Sequence, residues 1–160
     1  MRILVTGSNG FIGKNLIVRL NELDIQVATY TRKNSTQDLE GLIKDADCIV
    51  HLAGENRPKD EKEFDIVNAG LTASICDVIR SSCKNIPIIV TSSTQAELNN
   101  AYGKSKLNAE AAVKTLEIDT GCPVHVYRLP GVFGKWCKPH YNSVVATFCH
   151  NISHNLPIQV

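Results

Sequence analysis

The segment that most constrains the fold of this chain is the glycine-rich run TGSNGFIG at residues 6–13. It follows a short apolar run that predicts a strand, and it precedes a stretch with apolar residues at helical spacing. In this setting Gly7 allows a tight turn, Gly10 lets the backbone approach a pyrophosphate, and Gly13 lets helix and strand pack closely. Three glycines in a turn can also serve chain geometry alone, but the strand before them and the helix after them favour a dinucleotide-binding loop.

The rest of the chain alternates short β-branched apolar runs with longer segments of helical periodicity. Five runs predict strands: residues 2–6, 25–30, 48–52, 86–91 and 124–128. Four segments have apolar positions at helical spacing: residues 12–23, 64–79, 107–116 and 144–152. Strands joined by helices of this length predict a parallel sheet with helices on both faces, which is a doubly wound α/β fold.

The composition excludes several classes of protein. The 160 residues suffice for one domain, and 17 Lys and Arg against 16 Asp and Glu leave a net charge of +1 with no basic cluster, so no general nucleic-acid surface is expected. The longest apolar run, residues 86–90, is far too short for a membrane span. The six cysteines contain no CxxC pair, and several lie in apolar runs, which is typical of reduced core residues. We therefore expect a cytoplasmic protein without nucleic-acid or membrane partners.

The residues after the second predicted strand bear on which dinucleotide is bound. An acid at this place binds the adenosine 2′-hydroxyl of NAD, but the chain reads Thr31, Arg32 and Lys33 here, and its next acid is Asp38. A guanidinium group can grip a 2′-phosphate through two hydrogen bonds. The pattern favours NADPH over NADH; the alternative is that Arg32 and Lys33 are a solvated pair on a loop.

The candidate catalytic residues lie around the segment AYGKSK. Tyr102 and Lys106 are four residues apart at the predicted start of a helix, a spacing that puts both on one helical face. A phenol has an ordinary pKa of about 10, and we expect the ammonium group beside it to lower that pKa. The pair can then pass a proton to or from a substrate oxygen while a hydride moves at the neighbouring carbon. Just upstream, Ser93 is the candidate to hydrogen-bond the reacting carbonyl, with Ser92 and Thr94 as alternatives.

Six motifs occur in an order that resembles a known family. They are TGSNGFIG, HLAG, the segment around Asn68, TSST, YGKSK and RLPGVFG. This order is similar to that of the extended short-chain dehydrogenases/reductases that act on nucleotide sugars, within the NAD-dependent epimerase/dehydratase family. HLAGENRP and the tail FGKWCKPHYNSVVATFCHNI further resemble the bacterial capsular-polysaccharide reductases known as CapF.

The resemblance implies a Rossmann-like fold and an NADPH-dependent reduction of the 4-keto group of a UDP-2-acetamido-6-deoxyhexulose, a step toward capsular or surface polysaccharide precursors. The implied catalytic residues are Ser93, Tyr102 and Lys106. The implied cofactor-binding residues are Gly7, Asn9, Gly10, Phe11, Ile12, Gly13, Arg32, Leu52, Ala53, Gly54, Tyr102 and Lys106. The implied contacts with the UDP-sugar are Arg57, Ser93, Asn142 and Ser143.

The sequence departs from this family pattern in two places. Gly131 stands where relatives usually carry Asn, and there is no counterpart of the cupin domain that follows the reductase domain in CapF. We expect an NAD(P)-binding domain at residues 1–130 and the start of a substrate-binding region at residues 131–160. Five predicted strands are one fewer than a six-stranded dinucleotide fold. We therefore expect a C-terminally incomplete domain in which cofactor binding survives better than turnover, with pairing of two chains as a further expectation.

Two other functions remain open. An epimerase or dehydratase of the same family keeps the Tyr–Lys pair. A dehydratase is disfavoured because no acid follows Ser93 before Glu97, and an epimerase because no acid follows the second strand to hold NAD. The other function, from a different class, is a non-catalytic NAD(P)-binding module.

Three further features have less specific interpretations. One set has a spacing loosely like that of a zinc finger: Cys137, His140, His150 and His154. Such modules normally carry paired cysteines, so no metal site is expected. His51 is expected to be a packed, neutral histidine, and Trp136 and Tyr141 either stack on a uracil ring or are buried in a loop.

Overall fold

A computed structural model describes residues 1–159 of the chain, and its central element is a parallel sheet. The strands are β1 (Arg2–Thr6), β2 (Gln26–Tyr30), β3 (Cys48–His51), β4 (Ile88–Ser93) and β5 (Val124–Leu129). Their order across the sheet is β2-β1-β3-β4-β5, and every neighbouring pair is parallel. The doubly wound α/β prediction is confirmed, with strand bounds that differ from the predicted ones by at most two residues.

Helical segments connect the strands. They are α1 (Phe11–Glu22), α2 (Thr36–Asp45), α3 (Lys62–Phe64), a π-helical turn (Asp65–Gly70), α4 (Leu71–Ser82), a 3₁₀ turn (Thr94–Glu97), α5 (Ala101–Thr120) and α6 (Val144–Ser153). Between residues 1 and 159, no helix combines the length and the apolar character that a membrane crossing requires.

The core lies in two layers, one on each face of the sheet. On one face, Leu20 of α1 packs with Ile3, Val5 and Val50. On the other face, α2, α4 and α5 cover the sheet with buried side chains that include Leu39, Ile43, Ile75, Ile79, Val113 and Leu116. Because successive residues of a strand point to opposite faces, nearly continuous apolar strands are what such a sheet requires.

Helix α2 is absent from the sequence prediction. Its start is nevertheless specified locally, because the Ser35 side chain accepts a hydrogen bond from the Asp38 backbone while the Asp38 carboxylate accepts one from the Ser35 backbone. This capping box is a sequence-level helix signal. Leu39 and Ile43, four residues apart, supply its buried face.

The strand order fixes where a ligand can bind. Six-stranded dinucleotide folds have the order 3-2-1-4-5-6; relative to it, the strand that the sheet lacks within residues 1–159 is the outer one beyond β2. The connections run in opposite directions from β1 and from β3, so these two strands flank the switch point of the sheet. Ligands of doubly wound folds bind beyond the carboxyl ends of the strands at this point.

Candidate active site

The glycine loop after β1 is packed so tightly that only backbone fits. Gly7 has a φ of +69°, and a Cβ built on it would lie 2.6 Å from the Ala53 nitrogen. A Cβ on Gly13 would lie 2.3 Å from the Gly7 carbonyl oxygen, which also accepts a hydrogen bond from the Gly10 backbone at 3.0 Å. A side chain is excluded at Gly7 and at Gly13, which leaves the backbone uncovered at these positions near the first turn of α1, as a pyrophosphate site requires.

The loop after β3 closes the other side of this cradle. Ala53 donates its backbone N–H to the Thr6 hydroxyl at the end of β1 (3.1 Å). Leu52 and Gly54 line the main cleft of the molecule, as does Ile12 in the first turn of α1. A Cβ on Gly54 would lie 3.0 Å from the Lys106 amine. The structure thus brings this predicted cofactor loop against the glycine loop.

Other predicted cofactor residues lie around the edge of the cradle. Asn9 is exposed at the tip of the glycine loop. Phe11 opens α1, and its ring packs against Gly134 of the C-terminal region. Asn15 of α1 reaches the same region by donating to the Lys135 carbonyl oxygen (2.9 Å). The C-terminal segment is therefore attached to the helix that begins at the glycine loop.

The three predicted catalytic residues meet in one cleft of about 880 Å³ at the carboxyl edge of the sheet. Ser93 is the last residue of β4, and Tyr102 and Lys106 lie in the first two turns of α5. Ser92 donates to the buried Glu110 carboxylate at 2.6 Å, so its hydroxyl is already engaged away from the cleft opening. Ser93 is the hydroxyl close enough to the Tyr102 phenol to influence its ionisation.

The electrostatics of Tyr102 differ from the expectation that Lys106 lowers its pKa. Burial raises the pKa of Tyr102, and the Ser93 hydroxyl opposes this only in part. The Lys106 amine lies 6.0 Å from the centre of the Tyr102 ring and donates to the Thr91 carbonyl oxygen at 3.4 Å. Burial also lowers the pKa of Lys106, against the opposing charge of Glu110. Tyr102 therefore keeps its proton at neutral pH.

Gly103, beside Tyr102, is a site residue that the sequence reasoning missed. A Cβ on it would lie 2.3 Å from the Gln95 carbonyl oxygen and 2.6 Å from that of Leu98. Its backbone N–H donates to the Asn100 side chain, which caps α5, at 2.7 Å. Only glycine lets the start of α5 approach the 3₁₀ turn and Leu98 this closely, and a glycine inside a helical segment was the available signal.

An ionic network around the buried Glu110 carboxylate was also missed. Glu110 is 2% exposed and receives two parallel hydrogen bonds from the Arg128 guanidinium, both at 2.8 Å. Arg128 also donates to Glu97 at 2.7 Å, and Ser92 adds its hydrogen bond to Glu110. The network joins α5, β4, β5 and the 3₁₀ turn around Ser93.

The predicted substrate residues line the same cleft. The Arg57 guanidinium carbon sits 5.1 Å above the centre of the Tyr141 ring, and both residues line the cleft together with Asn142 and Ser143. The Ser143 side chain caps α6 by accepting from the Ala146 backbone (3.3 Å). An aromatic ring and several polar groups thus line the same cleft as Ser93.

The aromatic residues and the histidine singled out in the sequence have different surroundings. Burial in a loop is wrong for Trp136 and Tyr141, which are 43% and 39% exposed; Tyr141 lines the cleft, whereas Trp136 lies under the Lys135 amine, 4.6 Å from its ring centre. His51 is buried between the hydroxyls of Thr6 (2.6 Å) and Thr72 (2.9 Å). Burial and the nearby Lys106 lower its pKa to about 3, so His51 is the packed, neutral histidine that was predicted.

The C-terminal histidines form a cluster of rings. The centres of His140 and His150 are 5.3 Å apart, and those of His150 and His154 are 4.2 Å apart. Within residues 1–159, no three His, Cys, Asp or Glu side chains are arranged to hold a metal ion.

Arg32 pairs with a carboxylate that the sequence reasoning did not single out. It lies two residues past the end of β2, is 84% exposed, and donates to Glu55 at 3.1 Å. Glu55 follows Gly54 in the loop after β3. The predicted adenosine end of the site therefore holds an ion pair. Neither Arg32 nor Glu55 is among the residues that line the cleft with Ser93, Tyr102 and Lys106.

Known proteins resemble this arrangement over the whole chain. The UDP-2-acetamido-2,6-beta-L-arabino-hexul-4-ose reductase of Pseudomonas aeruginosa is 52% identical over 161 residues, which cover 100% of this chain and 43% of that protein. The capsular polysaccharide assembling protein CapF from Staphylococcus aureus superposes with a TM-score of 0.85 at 43% identity, over 100% of this chain and 44% of that one. The chain thus spans less than half the length of both relatives.

A more distant structure shows the fold alone. The UDP-glucuronic acid 4-epimerase from Bacillus cereus in complex with NAD has a TM-score of 0.85 at 18% identity, over 100% of this chain and 66% of that one. The model of the NAD dependent epimerase/dehydratase family matches residues 3–160. Motif order, fold and family match agree, so the chain belongs to the NAD dependent epimerase/dehydratase family.

Proposed function

We propose that this chain carries the cofactor site and catalytic groups for NADPH-dependent reduction of the 4-keto group of a UDP-2-acetamido-6-deoxyhexulose, in the cytoplasmic synthesis of capsular or surface polysaccharide precursors. The observation that carries the proposal is the meeting of Ser93, Tyr102 and Lys106 in one cleft beside the glycine loop. The identity of 52% with a reductase of this type supports the substrate class. Residues 1–130 act as the NAD(P)-binding domain, and residues 131–160 begin the substrate-binding region.

The residues of the cradle fit a dinucleotide. Gly7 and Gly13 leave no room for a Cβ, so backbone alone faces the pyrophosphate. Gly54 keeps the approach to the Lys106 amine open, and Lys106 is 8% exposed at the inner end of the cleft. When bound, NADPH supplies the hydride that reduces the carbonyl carbon and becomes NADP⁺. Arg32 and Lys33 favour the 2′-phosphate of NADPH at the adenosine end.

The chain's own groups supply the proton and the charge stabilisation. Because burial raises the pKa of Tyr102, its Oη holds a proton at neutral pH and donates it to the carbonyl oxygen as negative charge develops there. The Ser93 hydroxyl donates a second hydrogen bond to the same oxygen. Once Tyr102 has given up this proton, the Lys106 ammonium stabilises the resulting phenolate. Arg57, Asn142 and Ser143 orient the UDP-sugar across the cleft.

The test separates binding from turnover. NADPH and NADH are titrated by nicotinamide fluorescence, and turnover is followed by the loss of nicotinamide absorbance with the 4-keto nucleotide sugar. Replacing Tyr102 by Phe removes the proton but keeps the ring, so we expect unchanged NADPH binding and a loss of turnover of about 100-fold or more. Tyr127→Phe is the matched control, because Tyr127 is 56% exposed on β5.

Three outcomes decide the proposal. Turnover that survives Tyr102→Phe removes the mechanism. Tight NADPH binding without turnover in the unaltered chain supports the alternative of a non-catalytic NAD(P)-binding module. Failure to bind either dinucleotide overturns both. Sedimentation of the same protein tests the further proposal that two chains pair.

A further inference from the structure

The Glu55 carboxylate is held rigidly at the mouth of the cofactor cradle. One of its oxygens accepts from the backbone N–H groups of Asn56 (3.1 Å) and Arg57 (3.2 Å). Its own backbone N–H donates to the Asn68 side chain at 2.8 Å, and that side chain donates back to the Glu55 carbonyl oxygen at 3.2 Å. Since Asn68 is buried, the position of Glu55 is fixed from within the fold.

The partner of Glu55 is, by contrast, free to move. The second carboxylate oxygen accepts from Arg32 at 3.1 Å, and the two side chains are 20% and 84% exposed, respectively. Arg32 contacts Glu55 through one hydrogen bond. Because the arginine is so exposed, water and salt weaken this ion pair. Arg32 can therefore change partners while Glu55 stays in place.

This pair lies where dinucleotide folds recognise the adenosine 2′ position. That recognition comes from residues just past the second strand: an acid for a hydroxyl, or an arginine for a phosphate. Here β2 ends at Tyr30 and supplies Arg32 but no acid. Asp38, the next acid of the chain, is used in the cap of α2. The carboxylate at this place comes instead from the loop after β3.

The charge of Glu55 is negative at neutral pH. Burial acts to raise its pKa, but the hydrogen bonds from Arg57, Asn56 and Arg32 outweigh burial and hold the pKa below its ordinary value. A 2′-phosphate carries up to two negative charges. It therefore attracts Arg32 more strongly than one carboxylate does, and it is repelled by Glu55.

We propose that Glu55 is a specificity-determining residue that competes with the 2′-phosphate of NADPH for Arg32 and accepts a hydrogen bond from the 2′-hydroxyl of NADH. The inference rests on the proposed function, because it assumes that the adenosine of a dinucleotide lies at this end of the cradle. Its consequence is a chain that binds both dinucleotides, with NADPH favoured less than Arg32 alone would achieve.

The test is the ratio of the NADH and NADPH dissociation constants, measured by fluorescence titration. In Glu55→Gln the amide oxygen still accepts from the Asn56 and Arg57 backbones, while the negative charge is gone. We expect the preference for NADPH over NADH to increase by about three- to fivefold, which is the change in affinity that an exposed ion pair produces. Glu63→Gln is the matched control, because it removes an exposed carboxylate from the same connection after β3.

The path through Arg32 is tested by a second pair of variants. Arg32→Gln should weaken NADPH binding and leave NADH binding nearly unchanged. Adding Glu55→Gln to the Arg32→Gln variant should then increase the affinity for NADPH less than Glu55→Gln does in the unaltered chain, because Arg32, the group for which Glu55 and the phosphate compete, is gone. A ratio equal to that of Glu63→Gln, or one that shifts toward NADH, overturns the inference while the proposed function stands. Failure of the unaltered chain to bind either dinucleotide overturns both.

Discussion

Two Arg–Glu pairs flank the carboxyl edge of the sheet, and they differ in the number of hydrogen bonds and in the exposure of both side chains. Arg128 and Glu110 meet through two parallel hydrogen bonds of 2.8 Å, with the carboxylate 2% exposed. Arg32 and Glu55 meet through one contact of 3.1 Å, with the guanidinium in solvent. The first pair joins β5 to α5, and the second joins the end of β2 to the loop after β3.

The difference lies in what each carboxylate loses if its partner leaves. Glu110 has no access to water, so without Arg128 its charge would be buried and uncompensated, which is costly. Glu55 keeps two backbone hydrogen bonds and some contact with solvent. The pair with the buried carboxylate therefore holds β5 and α5 together, whereas the exposed pair is free to exchange Arg32 for a ligand.

The largest effect is expected for Glu110→Ala. It removes the two charge-assisted hydrogen bonds from Arg128 and the one from Ser92, and it opens a gap between α5 and β5, so we expect a loss of about 3 kcal/mol of unfolding free energy. Urea denaturation measures it. Glu40→Ala, at an exposed position of α2, is the control and should stay within about 0.5 kcal/mol. Equal losses in the two variants would abolish the distinction between the pairs.

Next in size is a pH-dependent effect at the same residue. Hydrogen bonds from Arg128, opposed by burial and aided by Ser92, lower the pKa of Glu110. A carboxyl group with a lowered folded pKa adds stability above its unfolded pKa of about 4.3 and loses it as pH falls through the folded value. Glu110→Gln should lower the unfolding free energy by about 2 kcal/mol at neutral pH, and this difference from the unaltered chain should become smaller below about pH 4.

The measurement is the unfolding free energy of the unaltered chain and of the Glu110→Gln variant, from neutral to acid pH. His51, whose pKa is lowered to about 3 by burial and Lys106, titrates in both chains, so its contribution cancels in the difference. A gap that stays constant into strong acid would mean that the Glu110 charge adds nothing to stability, and the buried pair would then resemble the exposed one.

A smaller effect is expected for Ser92→Ala. The Ser92 hydroxyl donates to Glu110 at 2.6 Å, and a hydrogen bond to a charged group contributes about 1.5 kcal/mol. Ser74→Ala removes an exposed hydroxyl that bonds only the preceding helical turn, and it should cost much less. If both serines cost the same, the network does not depend on full satisfaction of Glu110.

The sequence predicted β1, β3 and β4 well because strands in the middle of a parallel sheet are nearly continuous apolar runs, a signal that needs no partner to be recognised. The edge strands β2 and β5 are mostly exposed and were recognised as short β-branched runs. That Ser93, Tyr102 and Lys106 come together could be predicted equally well. A strand end and a helix start meet at one edge of such a sheet, so their positions along the chain imply their convergence.

The two ion pairs were beyond prediction for a physical reason. A charged residue in an amphipathic segment predicts exposure, and only a partner elsewhere in the fold can reverse that expectation. Arg128 lies 18 residues from Glu110, and Glu55 lies 23 from Arg32, so no local pattern links either pair. For α5, two apolar positions of the predicted segment 107–116 are exposed, Leu107 (45%) and Ala111, while Lys106 and Glu110 are buried.

The smallest effect on stability is expected for the exposed pair, and it decides whether the comparison holds. Glu55→Gln keeps an oxygen for the Asn56 and Arg57 backbones, and Arg32 is already solvated, so the unfolding free energy should change by less than about 0.5 kcal/mol. Urea denaturation of the same samples used for dinucleotide titration gives both quantities at once. A loss comparable to that of Ser92→Ala would make Glu55 a structural residue. Its effect on dinucleotide preference would then follow from a displaced loop rather than from competition for Arg32.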